Sequence, residues 1–366
     1  MEAKLEIRDN AEDTLRELLR AMLENNICRD LLVPVKLPAG RGVVPALVRD
    51  PDLLESALPL APVMPFSEAT IAGRLTRGDR QGTLGIALHP CQIRAYVELV
   101  KLQQAERENV LTISIDCPGT YELTRYAELA AQELDPGLDL LPGLRVGEPT
   151  PHDGYEFREA CLMCEWPLPE QADLRIKIVG VASDEELRVR GEADLLEQLG
   201  LTATPPEEGQ DQAERRLLEA RIEARDRILS DFRDRAHDMP GLLEQFSTCI
   251  RCMNCMDVCP LCYCKECIFR TETFDHRPAD YERWVDRKGA VRLPADTLLF
   301  HLTRLNHMVT SCVGCGLCES ACPSGLPVAR IFRAVGQKVQ GIFDYVPGRD
   351  LAEEIPISTF REDELE

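Results

Sequence analysis

Long apolar runs are missing from this chain. No window approaches the ~18 uninterrupted apolar residues that would mark a membrane helix. Met1 to Asp13 mixes charges of both signs instead of joining a basic stretch to an apolar one. A cytoplasmic protein without a membrane span is expected, any membrane association being peripheral and through a partner. Positive charge is also short: 42 Lys and Arg stand against 63 Asp and Glu, a formal net charge of −21. Phosphate contacts need a basic face, so nucleic acid is not an expected partner. The acidic residues are dispersed, which speaks for solubility rather than a steering patch. No Gly-x-Gly-x-x-Gly opens a helix after a strand, and there is no His-Glu-x-x-His, Gly-x-Ser-x-Gly or phosphate loop. Histidine is scarce, six in all, and His152, His237, His276 and His307 are scattered. Catalytic residues are therefore not identified.

What the chain has is cysteine, 16 among 366 residues. With 44% hydrophobic residues it can bury a core without disulfide staples. In a reducing compartment such cysteines read as metal sites before disulfides.

Periodicity sets out the architecture. Leu15, Leu18, Leu19 and Met22 repeat at helical spacing between Asp9 and Glu24. Leu31–Val35, Gly85–Leu88, Val110–Ile115 and Leu174–Val181 read as buried strands, with Cys91–Lys101 and Tyr121–Leu134 as helices between them. This alternation predicts an α/β domain over residues 1–182. Residues 183–240 read as a linker, flexible over Thr202–Gln212 around Pro205, Pro206 and Gly209, followed by a charged helix over Ala213–Arg235. Residues 241–343 carry most of the cysteines, between helices at Leu298–Val309 and Pro327–Ile342. Residues 344–366 read as an acidic tail, surface-hugging or disordered. The fold class is thus an α/β domain joined to an all-α one.

Two runs carry the chemistry: Cys249-Ile-Arg-Cys252-Met-Asn-Cys255-Met-Asp-Val-Cys259-Pro260, and Cys312-Val-Gly-Cys315-Gly-Leu-Cys318-Glu-Ser-Ala-Cys322-Pro323. Three thiolates two residues apart can wrap one iron–sulfur cube, while the fourth, a helical turn on, reaches a neighbouring cube. One 4Fe–4S cluster is then expected on Cys249, Cys252, Cys255 and Cys322, and a second on Cys312, Cys315, Cys318 and Cys259. Structural zinc would call for two Cys pairs giving four ligands, not four thiolates in each of two proline-terminated runs. With helices flanking them, the runs resemble the helical ferredoxin modules of heterodisulfide reductase and fumarate reductase subunits.

The other cysteines are less legible. Cys262, Cys264 and Cys267 crowd behind the first run, as ligands of a further metal or as small buried residues; spacing leaves both open. Cys28 reads as a packing residue. Cys91 and Cys117 each follow a predicted strand, at the edge where ligands gather in parallel sheets, and Cys161 and Cys164 form a Cys-x2-Cys pair.

The segments Gly85-Ile-Ala-Leu-His-Pro-Cys91-Gln-Ile-Arg94, Ile113-Ser-Ile-Asp-Cys117-Pro-Gly-Thr-Tyr-Glu122 and Cys161-Leu-Met-Cys164, with Pro169-Glu-Gln-Ala-Asp173-Leu after it, resemble the beta subunits of deazaflavin-dependent hydrogenases and formate dehydrogenases. The resemblance spans about Val63 to Gly180, and some formate dehydrogenase beta subunits share the appended ferredoxin domain. It implies a third 4Fe–4S cluster on Cys91, Cys117, Cys161 and Cys164. It also implies FAD, for which no residues are assigned, since Arg74, Arg77 and Arg80 suit solvent as well as phosphate. The expected function is an iron–sulfur electron-transfer beta subunit, partnered by a catalytic oxidoreductase subunit and other electron-transfer proteins. Two alternatives stand beside it. One is a flavoenzyme acting on a deazaflavin or nicotinamide coenzyme; the other is a non-catalytic cluster scaffold.

Overall fold

The computed structural model describes residues 1–78, 81–182, 185–205 and 210–358. Arg80, Ser183, Pro206, Gly209 and the end of the tail, residues 359–366, lie outside them. Seven strands form one mixed sheet: β1 (Glu2–Glu6), β2 (Asp30–Lys36), β3 (Val43–Val48), β4 (Leu84–Ala87), β5 (Val110–Ile115), β6 (Leu174–Lys177) and β7 (Glu186–Gly191). Their order is β1-β7-β6-β5-β4-β2-β3. The centre, β2, β4, β5 and β6, is parallel; β3 adds antiparallel to β2, and β7 and β1 add antiparallel beyond β6. β2, β4 and β5 are apolar runs expected from sequence, since helices cover both faces of such a sheet, whereas β6 ends at Lys177, short of the expected Val181, and alternates Leu174 and Ile176 with Arg175 and Lys177.

Local chemistry starts the helices. Asn10 accepts from the backbone N of Asp13 at 2.9 Å, capping Ala11–Glu24. Pro90 opens Pro90–Lys101, where its missing N–H costs nothing. Leu123–Ala131 is the next main helix. One face of the sheet, with Leu31, Val33, Ile113 and Ile176, packs with Leu15, Leu19 and Met22. The other, with Leu32, Leu84 and Ile86, continues into Leu261, Val313, Ile331 and Phe332. The apolar core therefore runs unbroken from sheet to cysteine-bearing region.

Two expectations about boundaries need correcting. The sheet does not end before residue 183, because β7 pairs with both β6 and β1. Its Glu186 and Arg188 are buried but joined, Arg188 Nε donating to Glu186 Oε1 at 2.6 Å, so a polar-looking segment fits a buried strand. Nor is the charged helix, expected over Ala213–Arg235 within the linker, detached from the rest. It spans Gln210–Arg235 and buries Leu217, Leu229 and Phe232 against the body.

Among the described residues beyond Gly191 lie the helices Asn254–Asp257, Pro278–Lys288, Thr297–Met308, Leu317–Ser320 and Val328–Ile342. Part of the expected tail is fastened down. Tyr345 is 3% exposed. Its hydroxyl donates to Glu98 Oε1 at 2.6 Å, and the Gly348 N–H donates to the same oxygen at 2.8 Å. Arg94 Nε donates to the Pro347 carbonyl at 2.9 Å. A fully buried carboxylate needs such donors, which is why this stretch is held to the helix that begins beside Cys91. No helix among the described residues is long and apolar enough to cross a membrane.

Candidate metal centres

The two cysteine runs fold alike. Each turns at two backbone positions of positive φ: Arg251 at 52° and Met253 at 65° in the first, Gly314 at 73° and Gly316 at 74° in the second. These are equivalent places in the motif, before and after the second cysteine. A single helical turn follows each, Asn254–Asp257 and Leu317–Ser320. In the second run glycine is also a matter of space. A Cβ on Gly314 would meet Arg333 Cδ at 2.7 Å, and one on Gly316 would meet Ala160 Cβ at 2.3 Å. Backbone N–H groups turn to sulfur, Arg251 N donating to Cys249 Sγ at 3.3 Å and Leu326 N to Cys322 Sγ at 3.4 Å.

The cysteines ring three hollows. The first, of about 310 Å³, is lined by Cys249, Cys252 and Cys255 from one run and Cys322 from the other. The second, of about 450 Å³, is lined by Cys312, Cys315, Cys318 and Cys259. In each run the helical turn carries the fourth cysteine out of its own loop and into the neighbouring hollow. The third, of about 390 Å³, is lined by Cys91, Cys117, Cys161 and Cys164, which come from four places in the α/β region. Cys91 sits in the first turn of Pro90–Lys101, Cys117 just after β5, Cys161 in the short helix Glu159–Leu162, and Cys164 just after that helix. Gly314 and Cys315 line the second hollow and the third. Among the described residues no three His, Cys, Asp or Glu side chains are grouped to hold a single metal ion. The thiols instead surround space, which suits a polynuclear group.

Burial dominates the electrostatics of these thiols. It pushes Cys117 and Cys315 up to about 12 and Cys255 up to about 11, and Cys91 and Cys318 well above the ordinary thiol range. Cys161 goes the other way: burial would raise it, but Arg158, the Thr120 hydroxyl and Arg221 together hold it below its ordinary value. Buried thiols of this kind lose their protons when a cation binds them.

Buried arginines offer an independent check that an anionic group belongs here. Arg94, Arg158, Arg221 and Arg304 are 1%, 5%, 6% and 3% exposed. Among the described residues none of the four has a carboxylate at ion-pair distance, whereas buried Arg175, Lys177, Arg188 and Arg333 all do. All four turn to the cysteine sites. Arg221 donates to the carbonyls of Cys161 and Pro118. Arg94 donates to the Val313 carbonyl at 3.3 Å and lies 5.1 Å from the Trp166 ring. Uncompensated buried cations cost several kcal/mol each, and clusters bound by four thiolates are net anionic. The residues present fit the group.

Several participants were not legible in the sequence. His301 Nε2 lies 3.3 Å from Cys249 Sγ and its ring stacks on Phe246; burial, then Arg304, lowers it to about 4, so it stays neutral. Arg158 and Arg304 are isolated arginines without a motif. Cys28 is a packing residue, its thiol pushed up to about 12 by burial. Cys262, Cys264 and Cys267 line none of the three hollows; Cys264 is exposed, and Cys267 Sγ is 3.8 Å from Met256 Sδ. Arg74 is on the helix Glu68–Thr76, and Arg77 Nε donates to the Gln104 carbonyl at 2.8 Å.

Residues 244–326 match the 4Fe–4S dicluster domain family. Over 299 residues the chain is 26% identical to the F420-dependent formate dehydrogenase subunit beta of Methanocaldococcus jannaschii, covering 73% of this chain and 74% of that one. Over 376 residues it is 28% identical to the F420-dependent formate dehydrogenase 1 subunit beta of Methanococcus maripaludis, covering 91% and 89%. A chain from a xenon-derivatised structure of the F420-reducing NiFe hydrogenase complex of Methanosarcina barkeri aligns over 62% of this chain and 86% of that chain. Its identity is 14% and its TM-score 0.45. The chain is thus similar to F420-dependent formate dehydrogenase beta subunits and carries a 4Fe–4S dicluster domain in its C-terminal part.

Proposed function

We propose that the chain is the iron–sulfur electron-transfer subunit of a cytoplasmic oxidoreductase complex of the formate dehydrogenase, hydrogenase or heterodisulfide reductase kind. It would hold three 4Fe–4S clusters and pass electrons to or from a catalytic partner subunit. One observation carries this: the first and second hollows are each lined by four cysteines, the fourth coming from the other run, and the third is lined by Cys91, Cys117, Cys161 and Cys164 together with Cys315 of the second run. When bound, the clusters supply one-electron transfer. The protein's part is to hold, space and insulate them. The backbone at Gly314–Cys315 walls the second site from the third. The segment from Cys255 to Cys259 spans the first and second. Cys252 is exposed, so the first site reaches the surface, where a partner can exchange electrons. The order is third, second, first.

A second reading is favoured by a fourth hollow, of about 710 Å³, lined among others by Leu60, Glu68, His89, Asp116 and Cys117. It lies at the carboxyl ends of β4, β5 and β6, where α/β sheets bind ligands. It shares His89 and Cys117 with the third site. FAD held there would adjoin the relay, and the chain would then itself oxidise or reduce a deazaflavin or nicotinamide coenzyme.

The test is an anaerobic iron, sulfide and flavin count on the full chain. About twelve irons per chain are expected for three clusters. About eight would withdraw the third site, and zinc without iron would overturn the proposal. Bound flavin with diaphorase activity would put the second reading first.

A further inference from the structure

We propose that Arg304 and Arg158 are potential-setting residues, one at each joint of the relay, whose fixed positive charges raise the reduction potentials of the sites on either side. The inference rests on the three-cluster reading above and adds to it which of the chain's own residues govern the energy of the electron.

Arg304 lies on Thr297–Met308. Its Nη1 donates to Cys255 Sγ at 3.1 Å and its Nη2 to the Cys255 carbonyl at 2.8 Å. Cys259, Cys318 and Cys262 are its next electrostatic neighbours. Cys255 belongs to the first site, while Cys259 and Cys318 belong to the second, whose hollow Arg304 also lines. The guanidinium is fixed between the rings of Phe300 and Phe332, 5.6 and 5.2 Å from their centroids. Its Nε is buried without a partner among the described residues.

Arg158 repeats the arrangement one joint along. Its Nη2 donates to Cys161 Sγ at 3.7 Å, in the third site, and to the Cys315 carbonyl at 3.2 Å, in the second. Nε donates to Thr120 Oγ1 at 2.8 Å and Nη1 to Ser320 Oγ at 3.2 Å, which holds the head in place. Arg221, by contrast, touches only the third site.

Placement decides the physics. Each site gains one electron on reduction and no proton, so its negative charge grows and disfavours reduction of its neighbour. A cation fixed between two sites, in an interior that screens poorly, favours the added electron on both. An arginine is suited because it stays charged when buried and its fork can bond a sulfur and a carbonyl together. A purely structural arginine would join the same segments, but its replacement would leave the potentials where they are.

The experiment is an EPR-monitored redox titration of the anaerobically loaded full chain, with dithionite as reductant. R304Q, R158Q and R304K are compared with wild type, and the iron content of each is measured. R304Q should keep its iron and shift the first and second sites to lower potential. The ratio of reduced to oxidised at a fixed potential should fall at least about tenfold, or about 59 mV for one electron. R158Q should shift the second and third sites and leave the first alone. R304K keeps the charge but not the fork, so its shift should be smaller than tenfold. Loaded R304Q with wild-type potentials would overturn the inference. So would a tenfold shift in R304K, which carries the test if R304Q does not load. Iron missing from wild type itself would instead remove the cluster reading and leave nothing for either arginine to tune.

Discussion

Replacing Cys322 by alanine should empty the site built by the other motif, not its own. Cys322 lies in the second run, yet it lines the hollow formed by Cys249, Cys252 and Cys255, which lie 67 to 73 positions earlier in the chain. Cys259, in the first run, lines the hollow of Cys312, Cys315 and Cys318. Each variant removes one of four thiolates from a site whose iron it cannot replace, since alanine offers no ligand. Loss of about four of about twelve irons is expected from each. Iron content alone cannot tell the sites apart, so the assay pairs it with EPR of the reduced chain. C322A and C249A should lose the same signal, and C259A and C312A should lose the other. If C322A instead grouped with C312A, each run would close on its own cluster, and the crossed arrangement of the two helical turns would be refuted.

Three further outcomes follow from the packing. G348A should cost about 1–3 kcal/mol from its left-handed backbone alone, and more because the new Cβ would meet the Arg94 carbonyl oxygen at 2.3 Å. G78A, also at positive φ but with nothing within 4 Å, is the control, and equal urea midpoints would refute the contact. E98Q removes the charge that accepts from Tyr345 and Gly348 and sits 3.3 Å from Lys101 Nζ, so a loss of about 3–5 kcal/mol is expected. Limited proteolysis should then cut after residue 343; an unchanged digest would argue that the strap is held elsewhere. Burial raises the Glu68 carboxyl to about 8. The folded chain then keeps a proton that the unfolded chain has released, so this contribution is intact at acid pH and declines as pH rises towards 8. The decline is about 1.4 kcal/mol per pH unit for one proton. E68Q should lessen it, leaving the similar share of Glu12, also raised to about 8 by burial. Parallel stability curves for variant and wild type between about pH 5 and about pH 8 would rule this out.

The sequence by itself determined the elements whose period is unmixed. β2, β4 and β5 are short apolar runs, and Ala11–Glu24 and Val328–Ile342 carry clean apolar stripes, so local composition sufficed. It also singled out the eight motif cysteines that line the first and second hollows, because four thiolates at fixed spacing before a proline have few other uses. It found the helix Gln210–Arg235 but placed it in a linker, and it missed β7, because charge disguised burial: Glu186 is neutralised by Arg188, and Leu217, Leu229 and Phe232 are a narrow stripe on an otherwise charged helix. Only the tertiary structure decided what depends on distant segments meeting. Cys91, Cys117, Cys161 and Cys164 ring one hollow because segments far apart in the chain, after β4, after β5 and around Glu159–Leu162, meet there. His301, Arg158 and Arg304 have no local signature at all. They matter through what stands opposite them, and a histidine against Cys249 or an arginine between two sites exists only once the chain has closed.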